Sequence, residues 1–335
     1  MTRWHIRALV SVGCLALTSG LVRLKADPTT VEGAADATRA AQTGPRFVRS
    51  QLTWFDRVGK KVGVVGGLAD YGNLELSPAG DRVAVAVLDD SGTGRRDLWI
   101  VDVATGRHTP FATTPADENW MIWSHDATRV VFNSGRNGGL DLYQSPSTAT
   151  SALAGDALLV DRDAKWPVSW SADGRHVLYV VNGQRTGNDI LVLPLSGDKT
   201  PYPFKQTAQS ENWAAFSPDG RWVAYSSDES GTAEVYVSAF PPPASGRKSL
   251  VSTSGGTQTR WRRDGKELYF LSSDRQIVAA SVNGGGTDFE VLDVRPLFQI
   301  RLPWGQYHAF DATADGQRFL VNAQVTQTGP STVAH

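Results

Sequence analysis

Two tripeptides stand out because each places an ionisable group, a carboxamide and an indole side by side: Glu118-Asn119-Trp120 and Glu211-Asn212-Trp213. Lys165-Trp166 lies between them, and Gln258, His308 and Tyr71 fall at nearby phases of the pattern set out below. If Glu118, Glu211, Lys165 and His308 converged, they would supply the acid, base and cation of a hydrolase or lyase working in a polar cleft. If the indoles led instead, mixed polar groups beside Trp120, Trp166 and Trp213 would bind a polar ligand or a segment of a partner protein. A third reading is structural: the indoles pack, and Glu118, Lys165 and Glu211 pair with one another across an axis.

Other chemistry finds little footing. The six histidines stand apart, without a His-x-x-x-His pair, so a zinc hydrolase site is not expected. Asp89-Asp90 and Asp161-Arg162-Asp163 lack the alternating oxygens and distal Glu of a calcium loop. No Gly-x-Ser-x-Gly elbow is present, and the single cysteine, Cys14, sits in an N-terminal apolar run. No metal and no cofactor are therefore expected. Lys plus Arg number 33 against 34 Asp plus Glu, a balance that gives no field for steering nucleic acid.

The elements that would position these residues come from a repeat. An aromatic or apolar residue, Ser, a variable residue, Asp and Gly recur before an alternating apolar stretch. The copies are Leu76 to Gly80, Trp123 to Ala127, Trp170 to Gly174, Phe216 to Gly220, Trp261 to Gly265 and Ala312 to Gly316. Their last residues are spaced by 47, 47, 46, 45 and 51, the length of a four-stranded propeller blade. Asp-Gly between two strands is a hairpin signal, since Gly takes positive φ without a Cβ clash. The alternating stretch after it, such as Arg221 to Tyr225, is expected to bury one face between blades. On this phase Trp123, Trp170 and Trp261 belong to the core, and the residues just before each first strand form one rim of a central channel.

The sixth copy has only two strands. Leu52-Thr53-Trp54-Phe55-Asp56 matches Leu98-Trp99-Ile100-Val101-Asp102, and Lys61 to Val65 matches the edge strand that follows. The chain is thus predicted to be all-β, a six-bladed β-propeller whose N-terminal strands complete the last blade and leave no open ring edge.

With the repeats aligned, residues 52 to 323 resemble the TolB-like, WD-like propeller repeats of bacteria, most closely in Ala215 to Tyr225, Glu234 to Val237, Gly255 to Gln258 and Asp315 to Leu320. In that order the segments look most like the sensor propellers that follow the membrane span in some bacterial serine/threonine protein kinases. The resemblance implies sensing or protein contact and brings no catalytic motif. A kinase is not expected in this chain, which has no Gly-rich phosphate loop, His-Arg-Asp or Asp-Phe-Gly. A remnant of a longer kinase-propeller protein is a further reading.

Residues 1 to 28 carry Arg3, His5 and Arg7 before an apolar run from Ala8 to Val22, the shape of a signal peptide or short membrane anchor. Residues 29 to 49 read as a disordered linker, 50 to 325 as the propeller and 326 to 335 as a disordered tail. The resulting expectation is a monomeric, non-enzymatic binding or sensor propeller, periplasmic or extracellular and held by the apolar segment if that is not cleaved. Its expected counterpart is a protein or peptide of the cell envelope or a small ligand. Its expected ligand-binding residues are Glu118, Asn119, Trp120, Lys165, Trp166, Glu211, Asn212, Trp213, Gln258 and His308. The alternative is a propeller enzyme using the channel.

Overall fold

A computed structural model of the chain describes residues 49–89, 93–149, 155–161, 163–183, 187–303 and 308–325. The expected signal segment, most of the linker and the tail lie outside these residues, as do Asp90 and Arg162.

Within the described residues, 24 strands form six antiparallel four-stranded sheets. The chain first lays down β1 (Ser50–Asp56) and β2 (Lys61–Ala69), then blade one: β3 (Tyr71–Leu76), β4 (Arg82–Leu88), β5 (Arg96–Asp102) and β6 (His108–Ala112). Blade two is β7 (Met121–Trp123), β8 (Arg129–Ser134), β9 (Asp141–Pro146) and β10 (Asp156–Leu159). Blade three is β11 (Lys165–Trp170), β12 (His176–Gly183), β13 (Gly187–Pro194) and β14 (Tyr202–Lys205). Blade four is β15 (Glu211–Phe216), β16 (Trp222–Ser227), β17 (Glu234–Ala239) and β18 (Lys248–Leu250). Blade five is β19 (Thr257–Trp261), β20 (Glu267–Leu271), β21 (Gln276–Asn283) and β22 (Glu290–Gln299). Blade six takes β23 (Phe310–Ala312) and β24 (Arg318–Gln324) from one end of the propeller sequence and β1 and β2 from the other. The six first strands touch in cyclic order, so the ring closes.

Closure is built as the repeat pattern requires. β1 pairs with β24 from Ser50↔Gln324 to Asp56↔Arg318, and Leu52 is wholly buried, a placement that contributes about 1.5–3 kcal/mol. Arg57 adds a latch to blade five: its two Nη atoms each lie 3.0 Å from a carboxylate oxygen of Glu267, and Nη1 donates to the Gly316 carbonyl at 2.8 Å.

The core is divided into six apolar clusters, one at each blade interface. This corrects the one-faced burial read from the alternation. Every residue of β16 is buried, because a second strand is covered by a neighbouring blade on both faces; alternation survives only where one face meets water. The turns also differ from a two-residue hairpin. In blade four, Gly220 N donates to Ser217 O, Trp222 N donates to Ser217 Oγ at 3.0 Å, and Ser217 Oγ donates to Asp219 Oδ1 at 2.6 Å. In blade four Ser217, Asp219 and Gly220 thus together close the five-residue connection between β15 and β16, which pair up to Phe216↔Val223. Positive φ recurs at Gly80, Gly174, Gly220, Gly265 and Gly316; in blade two the same position is Ala127, at φ 58°.

Candidate ligand site between blades three and four

All six first strands run the same way along the axis, so the channel has a leading end, where they begin, and a trailing end, where they turn. The leading end brings together some of the expected residues and disperses others. Glu118 is fully buried and accepts from Ser134 Oγ at 2.8 Å and Thr114 Oγ1 at 2.5 Å. Lys165 Nζ lies 2.5 Å from Asp161, 3.3 Å from Asp141 and donates to the Asp163 carbonyl at 2.6 Å. Glu211 accepts from Thr207 Oγ1, and burial raises its pKa above the usual carboxylate range. Each of the three therefore fixes a local connection between blades, and pairing across the axis does not occur. Tyr71 OH donates to the Gly67 carbonyl at 2.9 Å, turned outward within the closing seam. Asn119 Nδ2 donates to Asp117, and its carbonyl accepts from Asn73 of blade one at 2.7 Å.

Trp120, Trp213 and His308 do converge. Their ring centroids lie 5.0 Å apart for Trp120 and His308, 5.1 Å for Trp213 and His308 and 6.2 Å for the two indoles. Local backbone geometry aims two of the expected side chains: β15 and β19 carry register shifts at Asn212/Ala215 and Thr257/Arg260, and the residues inside them, Trp213 and Gln258, sit at φ 58° and 56°. A bulge with a left-handed residue re-aims a side chain that regular pleating would send elsewhere, at a cost of about 1–2 kcal/mol. Gln258 spends its carbonyl on Ala309 N at 2.8 Å.

Below this aromatic layer lies a charged group absent from the expected residues. Arg260 Nη2 donates to His308 Nδ1 at 2.7 Å and to Glu75 at 3.2 Å, while Nε lies 3.3 Å from Asp311 Oδ1. That donation places the imidazole proton on Nε2, and burial followed by the Arg260 charge holds the His308 pKa well below its ordinary value. Burial raises the Glu75 and Asp311 carboxyls, with Arg260 opposing the shift in both. Glu75, Arg260 and Asp311 edge a trailing-end cavity of about 230 Å³ that Ser169, Trp170, Ala215 and Trp261 also line, so Trp170 and Trp261 pack against the core clusters and at the same time form half-buried walls of the cavity. The signal was in the repeat: five positions before each turn residue stand Glu75, Ile122, Ser169, Ala215, Arg260 and Asp311, with all three charges in adjacent blades. Among the described residues no cluster of three or more His, Cys, Asp or Glu side chains is arranged to hold a metal.

The leading end has a second, off-axis cavity of about 260 Å³ between blades three and four. Trp120, Trp166, Trp213, Val168, Val180, Asn182, Asn188 and Asn212 line it. Four of the ten expected residues thus meet there or at its wall. Its origin is a missing stitch. Six positions after the turn residue, Asn133 donates to the Lys165 carbonyl at 3.0 Å, Ser226 to the Gly256 carbonyl at 2.8 Å and Asn322 to the Tyr71 carbonyl at 2.8 Å, joining blades two, four and six to the next blade. Blades one and five use the position seven before the turn, Asn73 and Gln258, for the same purpose. In blade three these two positions are Val180 and Pro167, neither of which has a side-chain donor. The seam opens at that level, and Val180 becomes the floor.

No protein-family description matches the chain, and no curated protein matches it in sequence. Solved structures do. A protein described as a TolB of Agrobacterium tumefaciens superposes with a TM-score of 0.62 at 17% identity, over 83% of this chain and 99% of that one. TolB from Acinetobacter baumannii gives 0.56 at 16%, covering 74% of this chain and 65% of its own length. An oligogalacturonate lyase in complex with manganese gives 0.51 at 12%, over 80% and 76%. At these identities the likeness is one of fold: the chain folds, as these proteins do, into a six-bladed β-propeller.

Proposed function

We propose that this chain is a binding propeller, working outside the cytoplasm without turnover, whose ligand seats in the tryptophan-lined cavity between blades three and four. The observation that carries this reading is the cavity itself. Five interfaces are stitched by a side-chain hydrogen bond from one of these two repeat positions, and the sixth, without that bond, presents three indoles and three carboxamides around open volume. Absence of turnover is supported by the fate of the titratable groups at that end. Glu118, Lys165 and Glu211 are engaged in blade connections, and His308 is a neutral ring held between Arg260 and two indoles. The export-like residues 1 to 28 support a place in the cell envelope, where the counterpart would be met.

The test is capture from a bacterial cell-envelope extract by the immobilised full chain, in parallel with a Trp166→Ala variant. Trp166 is half-buried, borders the cavity and packs on the edge of the apolar cluster between blades three and four, so its truncation removes binding area and the variant is first checked for an unchanged thermal midpoint. Material retained by the parent and lost with the variant supports the reading; equal retention moves the site elsewhere.

A second reading, a hydrolase or lyase, rests on the trailing-end cavity, where two carboxyls with raised pKa flank Arg260. It requires turnover of some substrate that Glu75→Gln abolishes while binding at the Trp166 cavity is unchanged.

A further inference from the structure

We infer that the cavity between blades three and four takes one ring of a neutral saccharide, an inference that rests on the binding reading above and names its ligand class. Size comes first. At about 260 Å³ the cavity lies below the roughly 300 Å³ at which drug-sized pockets begin, so it admits a ring-sized group.

Charge comes next. None of the eight lining residues is ionisable, and among the described residues the nearby Lys165 is paired with Asp141 and Asp161 while Glu211 accepts from Thr207 through one oxygen. A carboxylate or phosphate would find no unpaired cation among the described residues around the cavity and would shed its water without a matching charge from them. A quaternary ammonium needs no counter-charge beside indoles, yet it offers no hydrogen-bond partner, and burying it here would strip water from the carboxamides of Asn182, Asn188 and Asn212. An entirely apolar ligand meets the same objection.

What remains is a group with apolar faces and a polar perimeter. The C–H faces of a pyranose lie against indole π-clouds, whose faces are electron-rich. Its hydroxyls each donate and accept, and so does a carboxamide. Asn182 Nδ2 donates to Asn188 Oδ1 at 3.0 Å, which orients the two carboxamides relative to each other and leaves one carbonyl and one NH2 group outside that bond. The apolar floor of Val168 and Val180 completes a slot with stacking surfaces and a hydrogen-bonding edge.

The experiment is calorimetric titration of the full chain, with indole fluorescence as a second readout. Neutral probes are cellobiose, lactose, mannobiose and N,N′-diacetylchitobiose; the contrasting probes are digalacturonate, tetramethylammonium and a hexaproline peptide. The expected result is saturable binding of at least one neutral disaccharide, weakened about tenfold or more by Trp166→Ala and abolished by Val180→Asn, which reinstates the polar side chain found in blade two. Both variants are checked for an unchanged β-sheet spectrum and thermal midpoint. Failure of every neutral disaccharide, preference for a contrasting probe, or binding indifferent to Trp166→Ala overturns the inference. If the sugars fail while capture from the envelope extract still depends on Trp166, the saccharide class falls and the binding site stands. If neither depends on Trp166, both fall.

Discussion

The seams on either side of blade four are made by the same repeat and reach opposite ends. Toward blade five, Ser226 donates to the Gly256 carbonyl, Thr259 Oγ1 to the Trp213 carbonyl at 2.5 Å and Trp261 Nε1 to the Ala215 carbonyl at 3.0 Å, so bonds run the length of the channel wall. Toward blade three, Phe216 N donates to Ser169 Oγ at 3.0 Å near the trailing end, and the leading end holds a cavity beside a long bond from Asn188 N to Ser210 Oγ at 3.4 Å. The difference shows how a closed ring acquires a pocket at small cost. Val at a stitching position has no polar side-chain atom to leave unpaired, so the interface gives up a bond and gains volume.

The contrast is most sharply broken where a stitch closes the ring. Asn322→Ala should destabilise the protein by about 2–3 kcal/mol in urea unfolding, because it strands the buried Tyr71 carbonyl and leaves a void between β24 and β3. A loss under half a kcal/mol would mean that the stitches are incidental. Arg57→Ala should cost about 1–2 kcal/mol by the same measurement: Glu267 keeps Arg262 at 2.8 Å but loses its bidentate partner. At the open seam, Val180→Asn should change stability by less than about 1 kcal/mol while abolishing ligand uptake; a cost as large as that of Asn322→Ala would show that blade three cannot accept a stitch. A turn remote from either seam gives the control. Ala127→Gly should stabilise by about 0.5–1 kcal/mol, since relief at φ 58° exceeds the entropy added to the unfolded chain.

The smallest effect concerns the trailing end and is read against pH. The folded protein holds the Glu75 proton more tightly than the unfolded chain, with burial as the first cause. That proton linkage favours the folded state at low pH, and the stability is lost as pH rises from the ordinary carboxylate range through the raised folded value. Thermal midpoints should therefore fall over that interval in the parent, and Glu75→Gln should flatten the fall by a few degrees. An unchanged slope would show that Glu75 is already ionised.

Much of the fold was legible in the residues. Ser217-Pro218-Asp219-Gly220 and its five relatives carry their own turn chemistry, and the half-blade at each end of the repeat array favoured ring closure over an open array. The site was legible in part. Trp120, Trp166, Asn212 and Trp213 were read as one rim because phase locates a residue along the axis. The same phase argument set Glu118, Lys165 and Glu211 beside them and missed that all three turn into blade connections. Phase gives height along a strand, whereas bulges such as Asn212/Ala215 decide which way a side chain leaves it. Glu75, Arg260 and Asp311 were equally visible at one phase, but they lie apart in the chain and only the closed ring brings them within 3.3 Å.

The sequence by itself determined the blade number, the turn chemistry, the closing half-blades and the departure of Val180 and Pro167 from their repeat positions, because these are local or periodic properties of one chain. Only the tertiary structure decided that this departure opens a tryptophan-lined cavity and that Arg260 gathers His308, Glu75 and Asp311. Both depend on neighbouring blades approaching at angles that no spacing along the chain encodes.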